Sequence, residues 1–108
     1  MKILFASDIH GSAYYCRRLL DIYKETKASR MVILGDILYH GPRNDLPKEY
    51  APKEVIAMLN PLKDQIYAVR GNCDTEVDQM VLQFPILADY ALLVLDGKVG
   101  GQAVLGRQ

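Results

Sequence analysis

Short apolar runs alternate along the chain with stretches in which hydrophobic residues recur every three or four positions. The run KILFAS at residues 2–7 is bounded by polar residues and predicts a β-strand buried on both faces. From Ser12 to about Thr26, apolar residues fall at Tyr15, Leu19, Leu20, Ile22 and Tyr23, the spacing of a helix with Ser12 as its N-cap. MVILGD predicts a second buried strand. PKEVIAMLNPL predicts a helix with Pro52 near its start and Pro61 near its end, and QIYAVRGNCD a third strand running into a turn. TEVDQMVLQF predicts a short helix and DYALLVLD a fourth strand, whereas ILYHGPRNDLPKEYAP, rich in proline, glycine and charge, reads as a loop. The order β-α-β-α-β predicts parallel strands joined by helical crossovers, an α/β fold. The tail GKVGGQAVLGRQ is glycine-rich without a clear period, and the pattern assigns it no element and no place in the core.

Composition narrows this picture in a few respects. The 108 residues have room for one small domain, and half of them are hydrophobic, as in a globular chain rather than a disordered one. Thirteen basic residues balance thirteen acidic ones, so the basic footprint that nucleic-acid binding relies on is missing. The apolar runs at both ends are too short for a signal peptide or a membrane span. Cys16 and Cys73 form no C-x-x-C pair, which suits a reduced thiol in a cytoplasmic protein.

The chemistry lies where the strands end. The first ends in Asp8-Ile9-His10, the second in Gly35-Asp36, and the third in Gly71-Asn72-Cys73-Asp74. In an open parallel sheet the carboxyl ends of the strands share one edge, where ligands bind, so Asp8, His10, Asp36 and Asn72 can meet there. Carboxylate, imidazole and amide oxygen suit Mn²⁺, Fe²⁺, Zn²⁺ or Mg²⁺, and a carboxylate can bridge two ions; Asp36 is the candidate bridge. Singly, each ending has an ordinary explanation: an Asp after a strand caps the next helix, and Gly-Asp makes a turn. Three such endings on successive strands favour the metal site.

The motifs D-I-H-G, G-D and G-N-C-D, in this order, resemble those of the calcineurin-like metallophosphoesterases. FASDIHGS, VILGDILYHGPRNDLP, YAPKEVI and AVRGNCDTEVDQM resemble more narrowly a phosphodiesterase branch of that family. The resemblance implies the N-terminal portion of a four-layer αββα sandwich and hydrolysis of phosphodiesters with two divalent metal ions, Mn²⁺ foremost. It implies that Asp8 and His10 bind one metal, that Asp36 bridges both, and that Asn72 binds the second. Many relatives carry a histidine that assists the leaving group where this chain has Cys73, which is therefore placed on the substrate side. His40 and Arg43, in the long loop behind Asp36, are candidate phosphate contacts, Arg43 through its forked donors. The alternative is that His40 is solvated and Arg43 pairs with Asp45 or Glu49. Arg70, beside Asn72, is either structural or phosphate-facing, and the tyrosines at 14, 15 and 23 and Cys16 are assigned to core packing.

The family completes its site with later histidines in G-H and G-H-x-H segments, and the two histidines here are His10 and His40. Residues 1–96 are accordingly expected to be the N-terminal part of a phosphoesterase domain, and 97–108 a divergent tail from a truncation or frameshift. A catalytically inactive remnant that binds metal weakly or associates with a partner is the competing function. The expected partner is a phosphodiester substrate, with a homo-oligomer left open and no membrane. A signalling or nucleotide-binding α/β module has less support, since no G-x-G-x-x-G or G-x-x-x-x-G-K-[ST] run occurs and Asp8 lacks an adjacent acid.

Overall fold

The computed structural model describes residues 2–39, 45–71, 73–88, 90–95 and 101–106. Ile3–Ala6 (β1), Ala13–Thr26 (α1), Arg30–Ile33 (β2), Pro52–Leu59 (α2) and Ile66–Ala68 (β3) follow the predicted order, with a 3₁₀ turn over Asn60–Gln65 between α2 and β3. The strands form a parallel sheet in the order β1-β2-β3, with Phe5, Val32 and Tyr67 in one cross-strand row and Ala6, Ile33 and Ala68 in the next. Both crossovers step the same way across the sheet, and right-handed connections then put α1 and α2 on one face. There Cys16 and Tyr23 of α1 and Val55 and Leu59 of α2 meet Met31, Ile33 and Ile66, with Phe84 and Ile86 closing the core. The α/β expectation holds.

Burial differs from the pattern in particular places. β2 is the central strand, and Met31, Val32 and Ile33 are all fully buried. β1 is not buried on both faces: Phe5 is half-exposed, as is Tyr67, because the two flank Val32 on the face away from the helices. Tyr15 is likewise exposed rather than in the core, since α1 turns Ala13, Cys16 and Tyr23 inward and Tyr15 lies off that face. Tyr14 carries the Lys48 ammonium 4.0 Å above its ring. Burial pushes the Cys16 thiol up to about 11, which keeps it a protonated packing group.

Glu76–Val81 (α3) is the predicted short helix, and Tyr90–Leu95 (β4) the predicted strand. Gly101–Gly106 (β5), in the glycine-rich tail, pairs antiparallel with β4, an element the pattern did not predict. The Arg70 amide donates to the Ala88 carbonyl at 2.8 Å and so ties the end of β3 to the segment before β4. Among the described residues, no helix is long and apolar enough to cross a membrane.

Ser12 caps α1 as predicted, its hydroxyl accepting from the Tyr15 amide at 3.2 Å. The same hydroxyl donates to the Lys48 carbonyl, and Ala13 N donates to Glu49 O at 2.8 Å, so the cap also fastens the segment before α2. Ser12→Ala removes both roles from a fully buried position. It is expected to lower unfolding free energy by about 1–2 kcal/mol, measured by urea titration.

Candidate active site

Three strand ends converge as the parallel topology requires. Beyond the formal strands the backbones stay in register: Leu34 N donates to Ala6 O, His10 N to Asp36 O, and Val69 N to Ile33 O, at 2.8, 2.8 and 3.1 Å. Asp8, His10 and Asp36 all adopt left-handed backbone conformations, with φ of 60°, 51° and 56°. Each costs on the order of 1–3 kcal/mol in a residue with a Cβ, and such strain collects where side chains must be aimed at a site. Gly35 and Gly71 allow the second and third strand ends to touch. A Cβ on Gly35 would lie 2.2 Å from Gly71 N, and one on Gly71 would lie 2.3 Å from Asp36 Oδ1.

His10 is oriented from behind. Its Nδ1 lies 2.8 Å from the Tyr39 carbonyl oxygen, which can only accept, so Nδ1 carries the proton and donates. Nε2 then faces two carboxylates, Asp8 Oδ1 at 3.1 Å and Asp36 Oδ2 at 3.9 Å. A neutral ring would aim its lone pair at their negative oxygens. A proton or a cation shared among the three groups makes that arrangement favourable. The histidine backed by a carbonyl is also the usual way a metal-ligating imidazole is held.

The two carboxylates are pushed apart in their proton affinity. Burial raises Asp36 above the ordinary carboxylate value; the Cys73 amide, donating to Oδ1 at 2.7 Å, opposes this, and the charges of Asp8 and Asp74 add to it. At Asp8 burial also works against ionisation, but hydrogen bonds from Ser7, Asp36 and His10 outweigh it and hold the group below its ordinary value. Asp36 forms the floor, with 4% of its side chain exposed, and Asp8 the open lip, with 53%. Of the two acids at one imidazole, Asp36 is thus inclined to keep its proton and Asp8 to lose it.

Cys73 joins this group. One ligand atom from each of His10, Asp36 and Cys73 falls within 4.8 Å of the others. Burial and the neighbouring Asp36 and Asp74 charges raise its thiol, so it is a neutral group beside the acids. Asn72, His40 and Arg43 lie outside the described residues. Glu49 pairs with Arg17, which also lies 4.0 Å from Glu54. Arg70 reaches Glu76 at 3.8 Å.

Asp74 is the functional residue that the sequence pattern did not single out. Its buried carboxylate accepts from Gly71 N and Asp36 N through Oδ2, at 2.7 and 2.9 Å, and from Ile37 N through Oδ1, at 3.1 Å. It therefore binds the second strand end to the third and sets the backbone on which Asp36 stands. The signal was its place at the end of the G-N-C-D run.

Comparison with known proteins agrees with this fold. The family model for calcineurin-like phosphoesterases matches residues 1–103. The phosphodiesterase YfcE of Escherichia coli K12 is 52% identical over 96 residues, 89% of this chain and 52% of the relative; the same protein of the O157:H7 strain matches equally. A solved structure of YfcE, described as a phosphoesterase from E. coli, superposes with a TM-score of 0.92 at 48% identity, covering 98% of this chain and 57% of that one. The chain thus spans about half the length of the curated relatives it matches.

Proposed function

The chain belongs to the calcineurin-like phosphoesterase family, and from that membership we propose that it is a divalent-metal-dependent phosphodiesterase using two cations at the strand ends. The observation that carries the reading is the aim of His10: Nδ1 is committed to the Tyr39 carbonyl, and Nε2 points at Asp8 and Asp36. Asp8 and His10 would hold one cation, Asp36 would serve both, and Asn72 would serve the second. The imidazole–carboxylate donor set suits a borderline or hard ion, and Mn²⁺ is the assignment. When bound, the cations polarise the phosphoryl oxygens and make a water more nucleophilic.

The chain's own residues hold and orient. The Tyr39 carbonyl fixes the tautomer of His10, the Cys73 amide anchors one oxygen of Asp36, and Ser7 steadies Asp8 at the lip. His40 and Arg43 are assigned to the phosphate and Cys73 to the substrate side.

The test starts from chelator-stripped protein, titrated with Mn²⁺ and followed by the paramagnetic resonance of the free ion and by hydrolysis of a diaryl phosphate. Uptake approaching two ions per chain, with hydrolysis appearing alongside, is expected. Hydrolysis that persists in excess chelator would overturn the reading, as would the absence of any uptake.

A further inference from the structure

A cavity of about 350 Å³ is lined by Leu38, Tyr39, Tyr50, Ile56, Val77 and Val81, on segments that continue from the site. Its lining continues from the backbone that carries the candidate metal ligands. Leu38 and Tyr39 follow Asp36 by two and three residues, and the Tyr39 carbonyl is the one that holds His10. Tyr50 is fixed to the loop after His10, because Ala51 N donates to Gly11 O at 2.8 Å and Tyr50 bridges to Ser12. The far wall is α3, which begins just past Cys73 and Asp74.

The lining is mostly apolar. Its Thr75 and Asp78 are occupied with each other in a capping box, Thr75 Oγ1 accepting from Asp78 N at 3.3 Å and Asp78 Oδ2 accepting from Thr75 N at 3.2 Å. The Asp78 carboxylate disfavours a second anion, so the phosphate does not belong here. The volume lies within the range of small-molecule sites, whereas an apolar cavity of roughly 150 Å³ already takes a benzene ring. Two tyrosines in the lining favour a flat occupant.

We propose that this cavity is a substituent subsite that seats an uncharged aromatic ring esterified to the phosphate whose phosphorus lies at Asp8, His10 and Asp36. The proposal rests on the phosphoesterase reading and adds a preference to it: aryl or nucleobase-bearing diesters over small alkyl ones. Val77 and Val81 control the preference, being 69% and 42% exposed at the rim of a short helix, where polar replacements do not open the core.

The test compares phenylphosphonate with methylphosphonate, by calorimetry on Mn²⁺-loaded protein. Phenylphosphonate is expected to bind about tenfold or more tightly. Val77→Asp and Val81→Gln should each erase most of that advantage while leaving methylphosphonate affinity unchanged, and Val77→Leu should retain it. Equal affinities in the wild type would overturn the subsite, as would an advantage that survives both polar variants. Loss of self-association in Val77→Asp with an unchanged phenyl-to-methyl ratio would also overturn it and assign the face to a second copy. If neither phosphonate binds, the phosphoesterase reading falls first and this proposal with it. A uridine and a phenyl monoester of methylphosphonate, compared in the same way, separate a nucleobase from a simple aryl occupant.

Discussion

Asp36→Asn is expected to lower Mn²⁺-dependent diester hydrolysis by at least about 100-fold in kcat/KM, equivalent to about 2.7 kcal/mol of transition-state stabilisation. A neutral amide offers one weak oxygen where a carboxylate offers two charged ones, and it bridges two cations poorly. The same change is expected to leave the metal-free fold as stable as before, or more so. Asp36 is nearly buried, faces the charges of Asp8 and Asp74, and has its proton affinity raised for that reason. A carboxyl that holds its proton more tightly folded than unfolded makes the fold lose stability as pH rises, from the ordinary carboxylate value up to its own raised one. Asparagine has no such dependence, and its Oδ1 can still accept from the Cys73 amide. The gap between Asp36→Asn and wild type in chelator should therefore widen as pH rises through that window and stay constant above it. Thermal melts at stepped pH in chelator measure the gap, and initial rates on a diaryl phosphate measure the activity. A variant that is both active and destabilised would contradict both halves of the argument.

How far the sequence could be read depended on what kind of force held each feature. The apolar pattern located β1 to β4 and α1 to α3, because burial writes itself into residue type along runs and at helical spacing. It missed β5, since Gly101 and Gly106 interrupt the alternation and a hairpin strand owes its pairing to β4 rather than to its own composition. It placed Phe5 and Tyr15 in the core because it reads hydrophobicity and not which face of an element is covered. The convergence of Asp8, His10 and Asp36 was legible from topology alone, as parallel strands must end along one edge. Their left-handed backbones were not, because Asp and His carry no sign of the φ they are forced to adopt, as a glycine would. Nor was the role of Asp74, whose three partners are backbone amides and so leave no trace in residue identity.

Those three amides make Asp74 the position where substitution should damage the fold most. The amides of Asp36, Ile37 and Gly71 converge on one carboxylate that is 2% exposed, where water cannot replace it. In Asp74→Ala each of the three amides loses its acceptor, and a buried orphaned donor costs about 1–3 kcal/mol, so the total is about 3–9 kcal/mol. A small domain has only about 5–15 kcal/mol to lose, which puts the variant near the edge of folding. Asp74→Asn keeps one acceptor oxygen but turns an NH₂ toward the remaining amides, and about 2–3 kcal/mol is expected for it. The contrast with the neighbouring acid identifies the role. Asp74→Asn should lower the urea midpoint in chelator and with Mn²⁺ alike, and weaken Mn²⁺ binding because the backbone under Asp36 shifts. Asp36→Asn should weaken Mn²⁺ binding with no loss of midpoint in chelator. An Asp74→Asn protein with wild-type stability in chelator and no Mn²⁺ uptake would make Asp74 a ligand instead of the staple that sets the ligands in place.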